Sequence, residues 1–223
     1  MSTTRAPRNT LTHEKIVAAA LELVDREGLD AFTIRELAVR LGVRPMSIYH
    51  YTKSKEELLD ALIDVVFGEV YLPCPEGDWR EELLRRSVSM REALARHRWA
   101  LPVMETRAHP GPATLTNHEG VLDVLRTSGF SLEASAHAYA ILDAFVYGFS
   151  LQEAMLEVVG VPDRSAGLVG AMDLARFPRV AELAAAYVEA EVYPFTASFD
   201  VGLRVVLDGI ERISGTLPPT NRR

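Results

Sequence analysis

Residues 33–62 read TIRELAVRLGVRPMSIYHYTKSKEELLDAL, and two short helical segments meet in this stretch at Gly42. Thr33 followed by Glu36 is the spacing of a capping box, and predicts a helix whose inward stripe is Ile34, Leu37, Ala38 and Leu41. Gly42 stops it. A second, short helix follows with Pro45 in its first turn, where a missing N–H costs nothing. Only Val43 and Ile48 are available to anchor that helix inward. Ser54 and Glu57 form another capping box, opening a helix through Leu58, Leu59, Leu62, Ile63 and Val66. A buried helix as short as the middle one would carry more aliphatic positions. The pattern suits a helix-turn-helix laid against a nucleic acid.

The chemistry of the middle helix supports that placement. A major groove admits one α-helix, whose outer face reads base edges while its neighbours contact phosphate. Arg44 can pair with guanine or phosphate, and Pro45 and Met46 offer apolar contact to thymine methyls. Ser47 and Tyr49 can hydrogen-bond backbone oxygens, and His50 completes the crowded face. Lys53 and Lys55 flank the next helix start, whose free N–H groups also favour a phosphate. Arg35, at the start of the preceding helix, is a further candidate. The bland alternative is a solvated helix pair with its aromatics packed on a neighbour, and Tyr51 fits either reading.

Charge and composition set bounds. The chain has 223 residues, 48% of them hydrophobic, and a formal charge of −7. It can therefore bury a substantial core. Residues 1–55 carry nine Lys/Arg against six Asp/Glu, whereas residues 56–223 carry fifteen against twenty-five. A polyanion responds to the local patch, so the acidic total does not exclude DNA. Cys74 is the only cysteine, which excludes an intrachain disulfide and a cysteine-based metal cluster. Apolar runs are too short to span a membrane, and the N-terminus lacks the apolar core of a signal peptide. A cytoplasmic protein is expected.

Outward from the opening stretch, the sequence divides into helix-length pieces and the fold class is all-α. Residues 1–9 form a basic tail with Arg5 and Arg8 available to phosphate. A first helix is predicted over 12–27, with Ile16, Ala19, Ala20, Leu23 and Val24 inward and Gly28 in a left-handed C-terminal position. Pro73, Pro75 and Gly77 break the chain over 72–78. Further helices are predicted near 79–97, 113–126, 132–157, 179–191 and 196–213, with a short one at 101–106. The piece 158–178 reads as a loop, with at most a short helical turn.

With these residues in view, the sequence resembles the TetR family of transcriptional regulators over roughly 12–66. Gly42, Val43, Ser47, Ile48, Tyr49, Lys55, Leu58 and Leu59 carry the match. YHYTKSKEELLDAL, together with TSGFSLEASAHAY at 127–139, looks closer to the tetracycline-repressor branch than to the commoner form. The resemblance implies an N-terminal three-helix DNA-binding domain with a helix-turn-helix (10–56). It is joined to a helical ligand-binding and dimerisation domain (57–215). It also implies a homodimer whose two reader helices enter successive major grooves of a palindromic operator. By the same resemblance Arg35, Arg44, Pro45, Met46, Ser47, Tyr49 and His50 face the operator, and Lys55 is the phosphate-clamping lysine. Tyr51 and Thr52 depart from the commoner aromatic pair. Positions where the tetracycline-repressor branch holds a magnesium–drug complex appear here as Tyr71, Met104 and Gln152, none of which restores the imidazole or the charge. Neither a metal nor a cofactor is expected, and the effector should be small and largely apolar.

In the C-terminal body Phe195, Phe199, Leu203, Val206, Leu207, Ile210 and Ile213 give one wide apolar face. Ala140, Phe145, Tyr147, Phe149 and Leu151 crowd a second helix. Two such helices per chain suit a four-helix dimer core, with a self-contained monomeric bundle as the alternative. Candidate effector contacts are Trp99, Met104, His118, Tyr139, Asp143, Phe145, Tyr147 and Gln152. His97, His109, His118 and His137 are too widely spaced for a helical metal motif. An enzyme would need a nucleophile–base or carboxylate constellation, or a glycine-rich phosphate loop, and neither is evident. The expected role is a DNA-binding regulator, in the first instance a repressor released by an effector. The competing class is a helical protein-interaction adaptor.

Overall fold

Thr12, Thr33 and Ser54 each start a helix in the same way. A side-chain oxygen accepts the N–H three residues on, at 3.2, 3.1 and 3.0 Å respectively. This satisfies donors that a helix leaves free at its start. The structure is a computed structural model and describes residues 11–104, 106, 109–159, 173–189 and 194–214. Among the described residues all regular structure is helical, so the chain is all-α. Its contacts divide it into two compact units, Met1–Glu69 with Arg96–Thr116, and Val70–Ala95 with Asn117–Arg223.

In the first unit α1 (His13–Glu27) buries Ile16, Val17, Ala20, Leu23 and Val24. Val17 thus takes an inward place expected of Ala19, which is half-buried. Gly28 has φ 81° and ψ 173°, a positive φ that favours glycine but not the left-handed helical pair of angles expected there. A short 3-10 turn, Leu29–Ala31, leads into α2 (Ile34–Leu41). Gly42 ends α2 in the left-handed region, φ 64° and ψ 29°. The Gly42 N–H reaches Val39 O at 3.1 Å and the Val43 N–H reaches Ala38 O at 3.0 Å. That pair of bonds is a Schellman closure, and it uses the last carbonyls of α2.

The middle helix, α3 (Pro45–Ile48), is a single turn, in keeping with the short helix expected there. α4 (Lys55–Gly68) buries Leu58, Leu62, Ile63, Val66 and Phe67, and α6 (Ala100–Met104) packs on it. Polar ties close the unit. His97 Nδ1 lies 2.8 Å from Asp25 and its Nε2 lies 3.1 Å from Glu69. The Trp99 indole donates to Asp25 at 2.6 Å. Asp64 on α4 accepts both the N–H (2.8 Å) and the hydroxyl (3.0 Å) of Thr114.

In the second unit the segment 71–78 links to α5 (Trp79–Arg96). Glu82, buried near the start of α5, accepts the Tyr71 hydroxyl (2.7 Å) and the Cys74 N–H (2.8 Å). α7 (Pro112–Thr127) begins in the first unit and continues into the second. α8 (Leu132–Val159) and α10 (Pro194–Ser214) pack together through Phe145, Phe149, Phe195 and Phe199. Gly202 permits that approach, because a Cβ there would stand 2.7 Å from the Phe145 ring. Arg91 of α5 lies over the Phe199 ring at 4.6 Å and pairs with Glu153. Of the wide apolar face expected on α10, Phe199, Leu203, Leu207 and Ile210 are buried and Phe195, Val206 and Ile213 are half-buried. α9 (Pro178–Glu189) follows a non-helical stretch at 173–177. The rest of the expected 158–178 loop, from 160 to 172, and the basic tail with Arg5 and Arg8 lie outside the described residues.

Candidate nucleic-acid interface and buried polar cluster

Ile48 is fully buried while almost everything around it faces solvent. Arg44 has an extended backbone and caps α3, with Pro45 in its first turn. Arg44, Pro45, Met46, Tyr49 and His50 are exposed, Met46 by 68%, and Ser47 is half-buried. A methionine so exposed contributes nothing to this chain's own core and is free to meet a partner. Tyr51 also stays at the surface, 41% exposed. Thr52 instead turns inward and its hydroxyl donates to Ser54 O at 3.1 Å.

The turn after α3 is fixed by Glu57. Its carboxylate accepts the Lys53 N–H and, at 3.3 Å, the Thr52 hydroxyl. The Lys53 N–H is the main reason that this carboxyl lies below the usual glutamate range. Lys53 is left exposed and Lys55, half-buried, holds its ammonium 5.2 Å from the Phe32 ring centroid. Arg35 is exposed in the first turn of α2. Arg40, further along that helix, is engaged by Glu27 and Glu36. Of the sequence-derived contact residues, Arg35, Arg44, Pro45, Met46, Tyr49, His50 and Lys53 are thus exposed, with Ser47 and Lys55 half-buried, around one buried anchor.

The eight candidate effector contacts do not form one group. Trp99, committed to Asp25, and Met104 belong to the first unit. Gln152 is exposed on α8, and Phe145 packs against Phe149 and Phe199. His118, Tyr139, Asp143 and Tyr147 do gather, around two residues that sequence reasoning missed, Arg86 and Asn117. Arg86 is wholly buried; its Nε donates to Asn117 Oδ1 at 3.1 Å and its Nη1 donates to the Asp143 carboxylate. Burial works against the guanidinium charge, but Asp143 more than offsets it and Arg86 is held protonated. Burial pushes His118 down, so its imidazole favours the neutral form, and it meets Tyr139 edge-on at 5.2 Å. Burial first, then the Asp143 charge, raises both Tyr139 and Tyr147, which keeps the phenols as donors. Tyr139, Asp143, Tyr147 and Ser150 recur at helical spacing and mark a polar stripe on a mainly apolar helix. Two buried polar atoms on this side lack partners, Arg86 Nη2 and Ser150 Oγ. The signal for Arg86 was its place between Leu83 and Met90 on the buried face of α5.

Two known protein families match parts of the chain. Residues 16–62 match the family described as bacterial regulatory proteins, tetR family, and residues 72–213 match the tetracyclin repressor-like C-terminal domain. The chain belongs to the TetR family of transcriptional regulators. Among TetR-family relatives, an HTH-type transcriptional regulator of Saccharopolyspora erythraea is 37% identical over 139 residues. That match spans 62% of this chain and 59% of the relative's length. The HTH-type transcriptional repressor DrrR1 of Streptomyces coeruleorubidus is 32% identical over 93% of this chain and 80% of its own. A TetR-family structure, ActR of Streptomyces coelicolor in complex with actinorhodin, superposes with a TM-score of 0.77. It is 29% identical and covers 93% of this chain and all of that one. Among the described residues no helix is long and apolar enough to cross a membrane.

Proposed function

We propose that this TetR-family regulator works as a cytoplasmic homodimeric repressor, binding a palindromic operator and leaving it when a small, largely apolar effector enters the C-terminal body. The observation that carries the reading is the exposed Arg44–His50 face seated on the buried Ile48. In this reading Arg44 and Arg35 take guanine or phosphate, and Pro45 and Met46 meet thymine methyls. Ser47, Tyr49 and His50 bond base edges or backbone. Lys53 and Lys55 hold phosphate beside the N-terminus of α4. Support for repression comes from DrrR1, which is named a repressor, and support for an effector from the ActR–actinorhodin complex.

The dimer reading rests on a second apolar surface. The helices α8 and α10 bury one side against each other, yet Ile141, Leu151, Met155, Val201 and Val205 are 41–65% exposed. A second copy supplies the simplest cover for such a face, through an interface built twice from the same residues. Effector and operator must then oppose each other reciprocally, each weakening the other by one and the same factor.

Selection of bound sequences from random duplex DNA by the purified chain tests the whole. A palindrome with two half-sites about one helical turn apart is the expected product, and its affinity should fall steeply with salt. An absence of enrichment at low salt would sink the proposal and favour a protein-binding adaptor.

A further inference from the structure

Helix α7 starts without a cap of its own. Gly111 stands just before Pro112, and its carbonyl accepts the Leu115 N–H at 3.0 Å, which makes it the N-cap residue. It has no side chain with which to answer the free N–H groups of the first turn. α4 supplies one. Asp64 Oδ1 accepts the Thr114 N–H at 2.8 Å and the Thr114 hydroxyl at 3.0 Å, taking the place of an N-cap oxygen. Glycine at 111 is required by this approach and not by its backbone. Its φ is not positive, but a Cβ there would fall inside the Asp64 carboxylate. One turn further along α4, a Cβ at Gly68 would stand 3.8 Å from that of Ala113. Positions 64 and 68 thus share the face that α4 turns to the start of α7.

We infer that Asp64 is a positioning residue for operator binding: its bonds to the start of α7 latch α4, and with it Lys55, in the operator-binding position. This rests on the proposed operator reading and adds to it a residue that touches no DNA. Lys55 opens the same helix nine residues before Asp64, about 14 Å away along the axis. Lys55, Asp64, Gly111 and Thr114 all lie in the first unit. Play in the helix at Asp64 is therefore carried to the lysine that faces phosphate.

The two contacts that hold α4 on this side differ in kind. α6 packs on α4 through a helix whose buried residues, Ala100, Leu101 and Val103, are all apolar. Apolar packing is non-directional and tolerates sliding. Two hydrogen bonds to one oxygen weaken steeply with distance and angle, and fix a register. Holding α4 in place before DNA arrives spares binding the cost of ordering it, so the latch raises operator affinity. The rival reading is a cap and nothing more, in which any effect on DNA follows the stability of the fold.

Operator affinity and melting temperature of the full chain, measured on three variants with the duplex obtained by selection, separate the two readings. Asp64→Ala should lower the melting temperature by about 2–4 °C. It should weaken operator binding at least about tenfold, as the loss of hydrogen bonds to a charged group allows. Adding Gly111→Asp gives α7 a cap of its own in the space the carboxylate leaves, and restores the net charge. This double variant should regain the melting temperature and still bind operator weakly. Asp64→Asn keeps the accepting oxygen without the charge, and should bind within about threefold of the parent. Affinity that returns together with the melting temperature, unchanged or tighter binding by Asp64→Ala, or binding by Asp64→Asn as weak as by Asp64→Ala overturns the inference. Should the local cap not restore the melting temperature, operators differing by one base pair between the half-sites decide. Asp64→Ala should then lower the preference for the selected spacing at least about threefold. A loss of folded protein alone does not move that ratio, and an unaltered preference overturns the inference. A parent chain that binds no duplex removes the functional reading, whereas operator binding indifferent to Asp64 removes this inference alone.

Discussion

The reader turn and the Arg86 cluster solve opposite problems with similar residue types. Around Ile48, an arginine, a histidine and a tyrosine stand in water, where their polar groups are satisfied without a partner. Around Arg86, the arginine is wholly and a histidine and two tyrosines are partly withdrawn from water, and the guanidinium depends on Asn117 and Asp143. A surface site can therefore be altered without disturbing the fold that presents it. A buried site has its specificity and its stability tied together, because each removed partner strands another.

The largest effect should come from breaking the cluster on one side only. Arg86→Met leaves the Asp143 carboxylate buried without its cation, and should lower unfolding stability by about 3–5 kcal/mol. Adding Asp143→Leu should return most of it, and chemical denaturation of both variants checks the pair. A similar loss in both would mean that the ion pair is not what the cluster hangs on.

Next comes the anchor of the reader turn. Ile48→Ala removes a fully buried side chain and should cost about 2–5 kcal/mol of stability, lowering operator affinity with it. Arg44→Ala sharpens the contrast, since it should leave the melting temperature unchanged while weakening operator binding by about 1–3 kcal/mol. If Arg44→Ala were to destabilise as Ile48→Ala does, the surface would not be separable from the fold.

Smaller still is the cap of α4. Ser54→Ala removes the acceptor for the Glu57 N–H and should cost about 1 kcal/mol, read from thermal melts in parallel with operator affinity. The mildest effect is expected from pH. Backbone donation by Cys74, then the Tyr71 hydroxyl, holds the Glu82 carboxyl below the usual glutamate range. A carboxyl depressed in the folded state stabilises the fold above the unfolded value, and that contribution fades as pH falls through the folded one. The melting temperature should therefore drop between about pH 5 and about pH 3. Glu82→Gln should flatten part of that slope. Glu57 and Glu69, depressed likewise, account for a share that the variant leaves in place.

Local chemistry made much of the first unit legible. Thr12, Thr33 and Ser54 announce helix starts, Gly42 announces a stop, and each acts within four residues of chain. That α3 is short was legible, since few inward positions were available to it, but the bonds of Thr52 and Glu57 that fix the turn after it were not, because no periodicity encodes them. The Arg86 cluster was visible only in halves. Tyr139, Asp143 and Tyr147 could be picked out on α8, but their cation lies 57 residues upstream of Asp143. Only packing brings those two positions together, so a reading of helical spacing finds half of the pair.

Gly202 carries a consequence for how this protein can change over generations. The Phe145 ring occupies the space of its missing side chain and is itself stacked on Phe199. Drift at 202 is therefore blocked unless 145 shrinks in the same lineage. In a library randomised at both positions, survivors should pair a larger residue at 202 with a smaller one at 145, and libraries opened at 202 alone should return glycine.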